Sequence, residues 1–102
     1  MDNIVTNPPF SLAEEFIHHA LGQTRRKVVM FLRLAFLESR HRKTTMFEGH
    51  TPLEKVIVLS KRVSLMPPTL NKRGKMRSVA AVAYAWFVWQ HGHKGPPTLE
   101  WM

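Results

Sequence analysis

The sequence predicts one α/β domain, a sheet of three parallel strands and one antiparallel C-terminal strand with flanking helices. Three observations predict it: a short β-type run followed by an amphipathic helix, two further β-branched apolar runs, and an aromatic run that returns through a long loop. The 102 residues suffice for a single domain spanning 1–102, and 44% of them are hydrophobic, which is typical of a globular chain.

The first strand and helix surround a stiff corner. Residues 4–6 form a β-type run that ends at Asn7. Ser11 is followed three residues later by Glu14, the capping-box pattern that starts a helix. Apolar residues then recur on one helical face as far as Leu21, and Gly22 can end the helix.

Three more strands follow. Residues 27–34 are almost continuously apolar, as expected of a central strand buried on both faces. Residues 35–47 are a loop or short helix, and residues 55–62 are a third strand. After a long loop at 64–78, residues 83–90 form an aromatic fourth strand, which we expect to be antiparallel because no helix precedes it.

The net charge of +8 favours a polyanionic partner, and a basic protein without a nucleic-acid role is the alternative. The chain has no cysteine, which excludes disulfides, thiolate nucleophiles and cysteine-zinc sites. The N-terminal residues do not form a signal peptide, and the longest apolar stretch, 79–89, is too short to cross a bilayer. We therefore expect a cytoplasmic protein with no membrane partner.

The corner itself, "NPPF" at residues 7–10, has the properties of an amine-binding site. A residue before proline is held extended, so Asn7 projects from the carboxyl end of the first strand, where open α/β sheets bind ligands. The Asn7 side-chain oxygen and the Pro8 carbonyl can each accept one N–H of a planar amino group, and Phe10 can stack on the attached ring. A proline turn without chemistry is the alternative.

The strand–"NPPF"–helix pattern, with the later segments "VIVLSKRVS" and "AYAWFVWQHG", resembles class I S-adenosylmethionine-dependent DNA adenine-N6 methyltransferases. In particular, nearly the whole chain is similar to the C-terminal half of small phage-type and prophage-type members. The resemblance implies a partial Rossmann-like methyltransferase sheet in a bacterial or phage-infected cell. It assigns the catalytic role to Asn7, Pro8, Pro9 and Phe10, which would bind a flipped adenine and align its N6 with the donor methyl.

The resemblance also implies S-adenosylmethionine as the cofactor. In the family, the glycine-rich cofactor motif and an acidic ribose ligand lie upstream of the corner, before the point where this sequence begins. We therefore expect weak or no cofactor binding by this chain alone, with the missing N-terminal methyltransferase half as a partner. The first strand should then have an unpaired apolar edge.

Loops that follow parallel strands emerge on the same rim as the corner, and cations in them can contact DNA phosphates. The predicted nucleic-acid-binding residues are Arg40, Arg42, Lys61, Arg62, Lys72, Arg73, Lys75 and Arg77. Arg25 and Arg26 precede the second strand, so we expect them on the opposite rim, in a solvated turn.

Several other residues can be assigned from spacing. His91 and His93 form an H-x-H pair on the rim away from Asn7, and because no third ligand is evident we predict no metal site. Trp86 and Trp89 should face opposite sides of a strand, with packing favoured over base stacking. The segment 38–40 either forms structural contacts or lines the site.

Two functions stay open. The first is a fragment or split half of a DNA adenine-N6 methyltransferase, with RNA adenine or a protein glutamine amide as other targets because the motif contacts only a planar amine. The net charge of +8 favours nucleic acid. The second is a non-catalytic basic module, derived from a methyltransferase, that binds nucleic acid or a partner protein.

Overall fold

The computed structural model of the chain describes residues 1–46, 51–59, 69–70, 76–77 and 83–102. Its strands and α-helices are β1 (Asn3–Thr6), α1 (Ala13–Gln23), β2 (Lys27–Arg33), α2 (Arg40–Thr45), β3 (Leu53–Val58), β4 (Thr69–Leu70), β5 (Met76–Arg77), β6 (Tyr84–Gln90) and β7 (Thr98–Trp101). Two 3-10 helices, Phe10–Leu12 and Leu34–Leu37, follow β1 and β2.

Five strands form one mixed sheet in the order β1-β2-β6-β3-β7, and β4 pairs with β5 in a separate two-stranded antiparallel sheet. β1, β2 and β3 run in one direction, and β6 is antiparallel to both of its neighbours. The predicted α/β class and strand directions are therefore confirmed. The antiparallel strand lies between β2 and β3, so these two do not pair directly.

The prediction that the antiparallel strand is the C-terminal one is wrong. The chain continues into β7, which pairs in parallel with β3 at the edge of the sheet. All four residues of β7 are exposed, and the alternation of polar and apolar residues in this strand covers only four positions, the lower limit at which alternation predicts a strand. Hydrogen bonding to β3 holds it in place.

The two faces of the sheet differ in burial. Along β2, Val28, Met30 and Leu32 are buried, whereas Val29 and Phe31 on the other face are only partly buried. The predicted burial of this strand on both faces is therefore wrong, and the described helix α1 packs on one face only. The core lies on that face and comprises Ala13, Ile17, Ala20, Val28, Met30, Leu32, Phe36, Met46, Leu53, Val56, Ala85, Phe87 and Trp89.

The predicted capping box does not form. After the two prolines, the chain makes a 3-10 turn in which the Leu12 amide donates to the Pro9 carbonyl at 3.0 Å. Leu12 then occupies the cap position of α1, without a side-chain capping bond. The carboxylate of Glu14 instead accepts a hydrogen bond from Arg42, 28 residues further along the chain.

Helix α1 also extends two residues beyond the predicted end at Leu21. It ends at Gln23, and Thr24 leaves it in an extended conformation. The Thr24 hydroxyl donates to the Ala20 carbonyl at 2.9 Å, which satisfies one acceptor of the last turn. No helix in the described ranges is long and apolar enough to cross a membrane.

Candidate functional site

The motif lies where the sequence predicts it, immediately after β1 at the carboxyl edge of the sheet. Pro8 is buried, whereas Asn7 and Pro9 are exposed. In the part of the chain that the structure describes, neither the Asn7 side chain nor the Pro8 carbonyl accepts a hydrogen bond. Two neighbouring acceptors are therefore free to bind a ligand.

Both residues line a cleft of about 140 Å³. This volume is below the range of about 300–1,000 Å³ typical of sites for drug-sized ligands, so the cleft suits a small chemical group. The described residues around it are Asn7, Pro8, Phe10, Phe31, Leu32, Arg33 and Tyr84.

Four of these residues, Phe31, Leu32, Arg33 and Tyr84, were not predicted as site residues. Arg33 ends β2 and lies opposite Tyr84, the first residue of β6. Arg33 could have been predicted from the sequence, because it lies at the carboxyl end of the second strand, on the same rim of the sheet as Asn7. The position of Tyr84 depends on the pairing of β6 with β2, which local sequence does not reveal.

The ring of Phe10 is held by several contacts. It meets the ring of Phe36 edge-on, with 6.4 Å between centroids. The guanidinium carbons of Arg33 and Arg42 lie 5.1 Å and 5.4 Å from its centroid, which is cation–π distance. Any base that stacks on Phe10 must therefore share or replace one of these guanidinium contacts.

Arg42, predicted to bind DNA, has a structural role. Its Nε donates to Glu14 Oε1 at 3.0 Å and its Nη1 donates to the Phe36 carbonyl at 3.3 Å. Its side chain is only 20% exposed, and its backbone amide donates to Ser39 Oγ, the N-cap of α2. Arg42 and Ser39 thus fix α2 against the motif, and DNA contact by Arg42 stays a prediction.

For the other predicted DNA-binding cations, the structure gives either a position in an element or no description. Arg40 is exposed at the first position of α2, and Arg77 belongs to β5. Outside the described residues lie Lys61, Arg62, Lys72, Arg73 and Lys75.

Arg25 and Arg26 lie at the amino end of β2, opposite the motif, as predicted. Both are exposed, and the Arg25 Nε lies 3.5 Å from Asp2 Oδ1. Arg25 and Arg26 therefore lie in a solvated turn.

The two tryptophans of β6 face opposite sides of the sheet, as predicted. Trp89 is fully buried in the core, and its Nε1 donates to Thr51 Oγ1 at 2.9 Å. Trp86 stacks on Phe31 on the other face, with 4.8 Å between ring centroids and 26° between planes. The predicted packing role holds for Trp89.

His91 and His93 lie beyond the end of β6, on the rim away from Asn7. The Thr24 hydroxyl donates to Ala20, so its oxygen can accept a hydrogen bond from His91 Nε2 at 3.1 Å. Among the described residues, no three His, Cys, Asp or Glu side chains form a group that could hold a metal ion.

The cleft does not fit S-adenosylmethionine. Its volume of about 140 Å³ is too small for a nucleoside joined to an amino acid, and none of the described residues that line it is acidic. No described residue in it can therefore bind the ribose hydroxyls through a carboxylate.

No protein-family model, curated protein or solved structure matches the chain.

Proposed function

We propose that this chain is the amine-binding half of a DNA adenine-N6 methyltransferase, on a Rossmann-like methyltransferase sheet. One observation carries the proposal: the free acceptors of Asn7 and Pro8 line a small cleft together with Phe10 at the carboxyl edge of the sheet. This arrangement supports the catalytic role that the sequence resemblance assigns to residues 7–10.

The residues of the cleft can bind and orient an amino group. The two N–H bonds of an adenine amine would be donated to Asn7 Oδ1 and to the Pro8 carbonyl, which leaves the nitrogen lone pair directed away from both. As the amine gains positive charge during methylation, both acceptors stabilise that charge without a strong general base. The prolines fix the acceptors in advance, so little reorganisation is needed.

The size of the cleft supports a single flipped base as its ligand. The N6 amine cannot be aligned for reaction inside a stacked duplex, so the base must leave the helix. The cleft admits a planar group and offers aromatic side chains from Phe10, Phe31 and Tyr84. The net charge of +8 supports a polyanionic substrate over a protein amide.

The second candidate function is a non-catalytic basic module that binds nucleic acid or a partner methyltransferase. It is favoured by the cleft's lack of fit for S-adenosylmethionine. The upstream reading frame separates the two candidates: a segment with a glycine-rich cofactor motif, in frame or in an adjacent frame, supports the enzyme. Absence of such a segment favours the binding module.

Methyl transfer tests the proposal itself. The chain is combined with that upstream segment, S-adenosylmethionine and adenine-containing DNA, and N6-methyladenine is quantified by mass spectrometry. We expect methylation by the wild-type chain and a loss of about 100-fold or more in Asn7→Ala. Gln23→Ala, which removes an exposed amide at the end of α1, is the matched control. Equal activity of Asn7→Ala and wild type would overturn the assignment.

A further inference from the structure

One cation of the cleft has no carboxylate partner among the described residues. The ion pairs of this part of the chain join Arg25 to Asp2, Arg42 to Glu14 and Lys55 to Glu100. Arg33 takes part in none of them. Within the residues that the structure describes, its positive charge is therefore not neutralised at the cleft.

The position of Arg33 puts this charge at the mouth of the cleft. Arg33 is the exposed last residue of β2, and its guanidinium lies 5.1 Å from the centroid of the Phe10 ring. The cleft has room for a base but not for a whole nucleotide. A sugar and its phosphate would therefore remain at the mouth, beside Arg33.

The chemistry of a guanidinium selects the group that it would bind. Its planar fork of N–H donors matches phosphate oxygens in a bidentate arrangement, and such charge-assisted hydrogen bonds are about twice as strong as neutral ones. A glutamine side chain carries no anion next to its amide, whereas the amine of a nucleotide is always accompanied by a phosphate.

We propose that Arg33 binds the phosphate of the nucleotide whose base amine lies at Asn7, so that the site takes nucleotides rather than protein amides. The inference rests on the proposed function, since it uses Asn7 as the amine-binding residue. It adds Arg33 as a substrate-binding residue and phosphate as the group that this residue recognises.

Calorimetric or NMR titration at millimolar ligand concentration tests this inference on the chain by itself. The ligands are adenosine and adenosine 5′-monophosphate, with ribose 5-phosphate as a probe of phosphate alone. We expect the monophosphate to bind about tenfold more tightly than adenosine, a difference of about 1.4 kcal/mol. Arg33→Gln should lose that advantage, so that it binds the monophosphate and adenosine about equally. Arg25→Gln, an exposed arginine on the opposite rim, should retain the advantage.

Three outcomes would overturn the inference. These are equal binding of the monophosphate and adenosine by the wild type, persistence of the phosphate advantage in Arg33→Gln, and no detectable binding of the monophosphate. A failure of the proposed function gives a different result. If Asn7 does not bind the amine, the affinity for adenosine would not change in Asn7→Ala, while the binding of ribose 5-phosphate would still depend on Arg33.

Discussion

The Nε of Arg42 donates a hydrogen bond to Glu14 Oε1 at 3.0 Å, which ties helix α2 to helix α1 beside the motif. The same guanidinium lies 4.4 Å from the centroid of Phe36 and 5.4 Å from that of Phe10. One side chain thus connects both helices to the aromatic residue of the motif. The orientation of Phe10 depends on this connection.

Replacement of Arg42 should therefore destabilise the fold. We expect Arg42→Gln to lower the free energy of unfolding by about 2–3 kcal/mol, because it removes a charge-assisted hydrogen bond and two cation–π contacts. Arg25→Gln breaks an ion pair whose side chains are 80% and 58% exposed, and should change stability by less than about 0.5 kcal/mol. Urea denaturation measures both values, and equal effects would contradict the structural role of Arg42.

The stability of the protein should depend on the hydrogen bond of the buried Trp89 indole. The Trp89 Nε1 donates to Thr51 Oγ1 at 2.9 Å. Thr51→Val keeps the shape of the side chain and leaves this buried N–H without an acceptor, at a cost of about 1–3 kcal/mol. Thr51→Ser retains the hydroxyl and should be less destabilising in the same denaturation experiment. A valine variant as stable as the serine variant would contradict the role of this hydrogen bond.

The outer edge of β1 should promote self-association. β1 is the first strand of the sheet order, and its Val5 is 65% exposed. An exposed apolar edge strand is a template for pairing with another chain, and a lysine there blocks such pairing. We expect Val5→Lys to reduce self-association in sedimentation experiments without loss of stability. His18→Lys, which adds a charge on the exposed surface of α1, is the control. If His18→Lys reduced self-association as much as Val5→Lys, the effect would be due to charge alone and not to the edge of β1.

Two cations outside the described residues, Arg73 and Lys75, should control the affinity for DNA. Neutralising Arg73 and Lys75 should weaken binding and reduce the slope of log affinity against log salt by about 0.9 for each phosphate that the variant no longer neutralises. Neutralising Arg25 and Arg26, on the opposite rim, should change the slope little. Fluorescence anisotropy with labelled duplex DNA at several salt concentrations measures the slopes. Similar changes in both double variants would contradict the assignment of the binding rim.

Local patterns predicted the strands and the corner at Asn7, because β-branched runs and paired prolines restrict the chain wherever they occur. The local pattern at Ser11 predicted a capping box that does not form, because the prolines impose a 3-10 turn and Glu14 pairs with a distant arginine. Local patterns also did not reveal β7, whose alternation of polar and apolar residues covers only four positions. The neighbours of a strand depend on tertiary pairing, so Tyr84 could not be assigned to the site before its position opposite Arg33 was known.

The relative affinity of the chain for adenosine and purine riboside, which lacks the C6 amine, tests the amine-binding cleft most directly. Two neutral hydrogen bonds contribute about 0.5–1.5 kcal/mol each, so wild type should prefer adenosine by about fivefold to a hundredfold. Asn7→Ala should lose much of this preference, and Gln23→Ala should retain it. Equal affinities in the wild-type chain, or an undiminished preference in Asn7→Ala, would contradict the assignment of Asn7 and Pro8 as the residues that hold the target amine.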